Sequence, residues 1–171
     1  MQSERQVTHI ANNAHHEVAS LQRALFTLLR TRPDLQLPGL NADDHQFVRN
    51  LSAEEVIAIA SKGVMTVSMQ LERKVDKFSH EIGHDFVVFR PELPSELMVW
   101  TQRWFGMVKE IANRSFSEAV IRFGMESNDV RHLKAMSWTE WLECLSGHSD
   151  LVLTFTIRGR GANVRRVHRM S

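Results

Sequence analysis

Apolar residues recur every three or four positions along the N-terminal segment, which is the spacing of one face of an α-helix. The members of this narrow stripe are Val7, Ile10, Ala14, Val18, Leu21, Leu25 and Leu28. Pro33 and the Leu37-Pro38-Gly39 sequence end the predicted helix, because a proline disfavours helical conformation in the residue before it. A stripe of this width suits either a core helix or a helix that pairs with another helix.

Two short helices and a strand are predicted next. Asn41 is suited to cap a helix over 42–50, since its side-chain oxygen can accept from a free amide of the first turn. Ser52 and Glu55 have the spacing of a capping box, in which each side chain bonds the other residue's backbone N–H. This box predicts a second short helix that ends near Ser61, and the apolar run Val64–Leu71 then predicts a strand.

The same order of features returns in the second half of the chain. Gly124–Ser146 aligns with Gly39–Ser61 without a gap, and Ser137 and Glu140 repeat the capping box. The identical pairs are Gly39/Gly124, Asp44/Asp129, Ser52/Ser137, Glu55/Glu140 and Ser61/Ser146. A second long helix opens at Pro94-Ser95-Glu96, and the strand-like run Leu151–Ile157 follows the aligned segment. We therefore predict a tandem duplication whose copies pack as a pseudo-symmetric pair, although two amphipathic helix pairs can also align by chance.

The predicted fold is mainly α, with two tandem, pseudo-twofold related units. Each unit holds a long helix, two short helices and a short β-strand. The first unit covers residues 1–72 and the second covers 94–157. A linker over 73–93, with a short strand at Phe86–Phe89, joins the units, and a basic tail over 158–171 follows them.

Composition changes this picture at the C-terminus. The chain has 171 residues, of which 43% are hydrophobic, and this is enough for a sizeable core. Its 21 Lys and Arg nearly balance its 20 Asp and Glu, but the tail from Arg158 holds five arginines and no acid. Cys144 is the only cysteine, which excludes an internal disulfide and a cysteine-rich zinc site, and we predict that it is a core residue.

The N-terminal segment lacks the apolar core of a signal peptide, and no apolar run reaches the ~18 residues of a membrane span. We therefore expect a cytoplasmic protein that does not interact with the membrane.

The order of elements resembles the D subunit of the flagellar master regulator, that is, the FlhD-like transcriptional regulators. The first copy carries the resemblance at His9-Ile10, Asn13, Leu21-Gln22-Arg23, Gly39-Leu40-Asn41, Leu51-Ser52 and Ile59-Ala60. The second copy carries it at Gln102-Arg103, Arg122-Phe123-Gly124-Met125-Glu126 and Met136-Ser137. The family subunit is a single unit that dimerises, whereas this chain would hold both units. Glu126 replaces the asparagine of the turn in the second copy, so Ser127 is predicted to cap the next helix instead.

The resemblance implies a transcriptional activator subunit that is not an enzyme and holds no cofactor. Related proteins on conjugative and integrative elements pair with a zinc-containing FlhC-like subunit. The implied partners are an FlhC-like protein, promoter DNA contacted through the complex, and further copies of the chain. The predicted helix-pairing interface comprises Val7, Ile10, Val18, Leu21, Leu25, Leu28, Trp100 and Trp104.

The tail is the candidate DNA-binding segment. Its arginines are Arg158, Arg160, Arg165, Arg166 and Arg169. A guanidinium group is planar and can bond two phosphate oxygens at once, which favours arginine at phosphate contacts. The alternative is a solvated tail without a ligand, in which case the protein would be a pure assembly module.

A second alternative comes from the His80-Glu81-Ile82-Gly83-His84 sequence. It fits the H-E-x-x-H motif, in which two histidines one helical turn apart bind zinc and the glutamate activates water. This reading makes the protein a zinc metallohydrolase with His80 and His84 as ligands. It needs a third ligand, for which Glu110 and Glu118 are the candidates. Because the motif lacks an obvious third ligand, we predict that no metal is bound.

Overall fold

The computed structural model describes residues 2–73, 94–146, 149 and 151–158, with the backbone alone at 2–12, 72, 73 and 152. Seven helices and two strands lie within these residues. In chain order they are α1 Gln2–Thr31, α2 Ala42–Asn50, α3 Ala53–Ala60, β1 Val67–Arg73, α4 Ser95–Arg114, α5 Phe116–Phe123, α6 Ser127–Ala135, α7 Trp138–Ser146 and β2 Leu151–Ile157. The protein is mainly α with a strand in each half, as predicted, and these two strands form a small antiparallel sheet. The predicted strand Phe86–Phe89 lies outside the described residues.

The short helices of the two halves occupy corresponding segments. α2 and α6 are each nine residues long, and α3 and α7 each begin directly after a capping-box serine. The break residues Leu51 and Met136 both have extended backbone, with φ/ψ of −60/130° and −61/134°. Gly39 and Gly124, which align in the sequence, both have positive φ. The tandem duplication and its pseudo-twofold relation remain predictions.

The halves differ between the long helix and the first short helix. In the second half α5 lies there, whereas the first half has an irregular connection. α5 is separate from α4 because Ser115 is extended, with φ −151°, and its hydroxyl accepts from the N–H of Glu118. The cap predicted for α6 is wrong. Ser127 is the first helical residue, and Glu126 occupies the N-cap without a side-chain hydrogen bond.

The two strands join the halves. β1 and β2 pair antiparallel from Val67↔Ile157 to Arg73↔Leu151. β1 begins three residues later than predicted, because the backbone before it bonds to helices rather than to β2. Met65 N–H donates to the carbonyl of Arg122 at 2.6 Å, and Thr66 N–H donates to Oε1 of the fully buried Gln22. The sheet's apolar face contributes buried Met69 and Phe155 to the core.

The long helices α1 and α4 pack against each other at the centre of the molecule. Trp100 Nε1 on α4 donates to the carbonyl of Leu21 on α1 at 2.8 Å. The predicted interface residues whose side chains are described therefore lie in the core of this chain or pack against it. Buried members are Val18, Leu21, Leu25, Trp100 and Trp104, and Leu28 is partly buried. Val7 and Ile10 lie on α1, but their side chains are outside the described part. Among the described helices, none is long and apolar enough to span a membrane.

Candidate functional site

An open concavity lies between α2 and α3. One face of α2 lines it with residues spaced three and four apart, and the start of α3 completes it. Its lining residues are Asp43, Gln46, Phe47, Asn50, Leu51 and Glu55, and its volume is ≈ 610 Å³. We call this feature the α2–α3 groove. Phe47 is half-buried and Leu51 is buried, so they form an apolar floor, while the carboxylates of Asp43 and Glu55 stand at its rim.

A buried histidine fixes α2 to the turn that precedes it. His45 is 2% exposed, and its Nε2 accepts from the backbone N–H of Leu37 at 2.9 Å. Its Nδ1 lies 2.9 Å from the carbonyl of Asn41, so the proton of the neutral ring is on Nδ1. Asn41 also caps α2 as predicted, since its Oδ1 accepts from Asp44 N–H at 2.9 Å. In the sequence His45 is isolated, and no local pattern indicates this role.

The start of α3 stabilises the ionised carboxylate of Glu55, and this makes the rim of the groove anionic. The N–H of Ser52 donates to Glu55 Oε2 at 2.8 Å, and Glu55 N–H donates to Ser52 Oγ at 3.1 Å. These bonds, led by the one from the Ser52 backbone, lower the pKa of Glu55. The acids of α2 and α3 are Asp43, Asp44, Glu54 and Glu55, against one arginine, Arg49, and the buried His45. Arg49 Nη2 donates to the carbonyl of Leu35 at 3.0 Å.

The corresponding surface of α6 and α7 has a different chemistry. Its capping box is the same, with Ser137 N–H donating to Glu140 Oε2 at 2.6 Å and Glu140 N–H donating to Ser137 Oγ at 3.2 Å. The residues aligned with those of the groove are Asn128, Arg131, His132, Ala135, Met136 and Glu140. Compared with the groove, this surface lacks the carboxylate of Asp43 and the phenyl ring of Phe47, and it holds the guanidinium of Arg131. Similar backbones therefore present an anionic face in one half and a mixed one in the other.

The second half instead holds an aromatic cluster. Phe105 stacks on Trp141 with ring centroids 4.6 Å apart, and Trp104 lies 5.9 Å from Trp141. Trp138 packs against Phe105 at 5.6 Å but remains 47% exposed. Lys109 extends over Phe105, and its Nζ donates to the carbonyl of Met136. The cluster rigidifies α7 against α4 while it leaves one indole face at the surface.

Arg158, where the tail begins, is bonded to the fold. Its backbone N–H donates to the carbonyl of Thr66 at 2.8 Å, and Nη2 donates to the carbonyl of Ile121 near the end of α5 at 2.9 Å. Its guanidinium lies over Gly124, where an added Cβ would be 2.0 Å from Nε. Burial lowers the pKa of Arg158. Arg158 therefore has a structural role that the sequence did not indicate. The other candidate arginines, Arg160, Arg165, Arg166 and Arg169, lie outside the described residues.

The candidate zinc ligands His80 and His84, together with Glu81, also lie outside the described residues. Of the two proposed third ligands, Glu118 accepts from Arg122 Nε at 2.6 Å. The other, Glu110, is exposed on α4, 3.8 Å from Arg114. Within the described part of the chain, no group of three or more His, Cys, Asp and Glu side chains could hold a metal ion. Cys144 is 5% exposed in the core, as predicted.

Comparison with protein-family models, with curated proteins and with solved structures finds no match to this chain.

Proposed function

We propose that this chain is a subunit of a DNA-binding transcriptional activator and works in a complex with an FlhC-like partner. The observation that carries the proposal is the repeated element order: a long helix, two short helices on either side of an extended break residue, and a strand. This is the order by which the sequence resembles the FlhD-like regulators.

In this proposal the tail and the short helices have different roles. The tail binds DNA, and the short helices bind the partner protein. The tail arginines beyond Arg158 contact phosphate, because the tail has a net positive charge, whereas the rest of the chain holds more acidic than basic residues. The partner protein packs against the short helices, where large apolar side chains are exposed. These are Ile57 on α3 and Trp138 and Leu142 on α7. Ile57 and Leu142 occupy aligned positions, so both halves present an apolar side chain on the second short helix.

A salt titration of DNA binding tests the proposal, with the partner present. Each arginine that neutralises a phosphate adds about 0.9 to the slope of log affinity against log salt. The R165A/R166A variant should therefore reduce that slope by about 1.8 and weaken binding to every DNA sequence. The matched control is R23A/R103A, which removes two exposed arginines from the helices and should leave the slope unchanged. An unchanged slope for R165A/R166A would favour the pure assembly module instead.

A further inference from the structure

The α2–α3 groove has a floor that suits an apolar side chain and a rim that suits a cation. Phe47 and Leu51 form the floor, and Asp43 and Glu55 flank it. Both rim carboxylates are exposed, and the capping box keeps Glu55 ionised. The only arginine or lysine on α2 and α3, Arg49, directs its guanidinium to the carbonyl of Leu35. A ligand for this groove would therefore combine guanidinium or ammonium groups with bulky apolar side chains.

The chain itself contains such a segment. Residues 159–171 hold four arginines and a histidine, and they hold no aspartate or glutamate. Val164, Val167 and Met170 alternate with the arginines in the part of the segment where the charge is densest. Its composition is thus complementary to the groove in both charge and apolar character.

The segment is also long enough to reach the groove. It leaves the fold at Arg158, whose N–H bonds Thr66, and Thr66 lies six residues after the end of α3. The six residues from the end of α3 to Thr66 span at most ~20 Å. The length of α3 adds ~12 Å, and the start of α3 borders the groove. The thirteen residues of the segment extend to ~43 Å, which exceeds this path of ~32 Å. Because the groove and the segment belong to one chain, the effective concentration of the segment at the groove is in the millimolar range.

We propose that the α2–α3 groove is the docking site of this chain's own C-terminal segment, residues 159–171. Docking occupies the arginines that the proposed function assigns to DNA, so the groove restrains DNA binding until a competing polyanion releases the segment. The restraint on DNA binding rests on the proposed function, whereas the docking itself can be measured without DNA.

The other half of the molecule provides an internal control. Asn128 takes the place of Asp43, Arg131 that of Gln46, and His132 that of Phe47. This surface lacks one carboxylate and the phenyl ring, and its guanidinium repels the segment. Docking should therefore be confined to the first half. Glu55 and Glu140 have the same capping role, so E55Q and E140Q perturb their helices equally but only E55Q alters the groove.

The experiment places a nitroxide spin label on the full chain through S171C and records the broadening of backbone amide resonances. Cys144 is 5% exposed and protected from the reagent, and the unsubstituted chain treated in the same way reports any label there. We expect broadening at α2 and the start of α3, and none at α6 or the start of α7. The D43N/E55Q variant and high salt should abolish it, and E140Q should not. Equal broadening in both halves, or broadening that survives D43N/E55Q, would overturn the proposal.

A mixed sample shows whether the groove is occupied by the segment of the same chain or by that of a second copy. Spin-labelled chain without isotope is added to isotope-labelled chain without the spin label, so that broadening reports only contacts between copies. Absence of broadening there supports docking within one chain, whereas broadening equal to that of the single sample shows that a second copy's tail occupies the groove and rejects our assignment.

A DNA arm separates this inference from the proposed function. The probe is a random-sequence duplex, titrated with the full chain and with D43N/E55Q. If the segment is docked in about two-thirds of molecules, the variant should bind about threefold more tightly. If neither protein binds the duplex, the proposed function loses its support, while the broadening pattern still decides whether the segment docks. If both bind with equal affinity, docking does not restrain DNA binding and that part of the proposal is wrong.

Discussion

Single side chains in the core differ in whether their polar atoms have a partner. Trp100 Nε1 bonds the carbonyl of Leu21, which ties α4 to α1. The Nε1 atoms of Trp104 and Trp141 are buried, and neither has a hydrogen-bond partner among the described residues. A buried N–H without an acceptor costs free energy, because it has lost its bond to water. The aromatic cluster is therefore stabilised by packing area and ring stacking rather than by polar contacts.

This difference predicts unequal effects of the same substitution. W100F and W141F each remove one ring of an indole, so their packing losses are comparable. Only W100F removes a hydrogen bond, whereas W141F removes an N–H that is unpaired in the described part of the chain, so W100F should lower the free energy of unfolding by at least about 1 kcal/mol more than W141F. Denaturant unfolding of the two variants measures the difference. Equal losses would mean that the bond between Trp100 and Leu21 contributes nothing.

Among the elements, the short helices are defined by their starts. Each half uses a serine and a glutamate to satisfy the first free N–H groups of the second short helix. The backbone bond from Ser52 is the largest cause that lowers the pKa of Glu55, and the bond from Ser137 does the same for Glu140. Both glutamates are at the surface, so they act locally on the helix start.

The lowered pKa values of Glu55 and Glu140 predict that part of the stability of the fold is lost in acid. Replacing both residues with glutamine should remove that part. A group whose folded pKa lies below its unfolded value contributes stability above the unfolded pKa, about 4.3 for glutamate, and loses it as pH falls through the folded pKa. The double variant E55Q/E140Q should therefore unfold at lower temperature than the unsubstituted chain near pH 7, and this gap should narrow below about pH 4. Thermal unfolding as a function of pH measures it. A gap that stays constant down to pH 3 would contradict the assignment.

At the scale of the whole molecule, the two halves share one core. α1 packs on α4, and each strand comes from a different half. The connection before β1 bonds to α5 through Arg122, and the Pro38 carbonyl of the first half accepts from Phe155 N–H in β2 at 2.7 Å. Neither half can keep these bonds alone, because each bond joins residues of different halves.

The shared core predicts a single unfolding transition. L25A empties a fully buried position on α1 and should destabilise the protein by about 2–5 kcal/mol. Because the halves are joined, probes in either one should report the same midpoint. Trp fluorescence follows the second half, in which all four tryptophans lie, and amide hydrogen exchange at α2 follows the first. Two separate midpoints would show that the halves unfold independently.

Metal content is the second prediction at this scale. The purified protein should contain less than one zinc per chain, because the sequence offers no clear third ligand beside His80 and His84 and holds a single cysteine. H80A should leave both metal content and thermal stability unchanged. Elemental analysis of the two proteins tests this prediction, and one tightly held zinc that H80A removes would revive the metallohydrolase hypothesis.

The sequence by itself determined most of the helices and their caps, with the cap of α6 as the exception. The bonds that define these elements span three or four residues, so a local pattern contains all the information. The Ser52 and Ser137 boxes, the Asn41 cap and the α2 bounds were predicted on this basis, whereas the bounds of β2 followed from its run of apolar and branched residues. Pro94 and Ser95 likewise mark the start of α4.

Tertiary structure alone decided where the chain is anchored and where a ligand can bind. Gln22 bonds Thr66 across 44 positions, and Arg158 bonds Ile121 across 37, so no local pattern reports either contact. The groove exists only because the break at Leu51 sets the face of α2 against the start of α3. Periodicity shows that Phe47 lies on a helix face, but only the packing of the neighbouring elements decides whether that face is core, solvent or a binding surface.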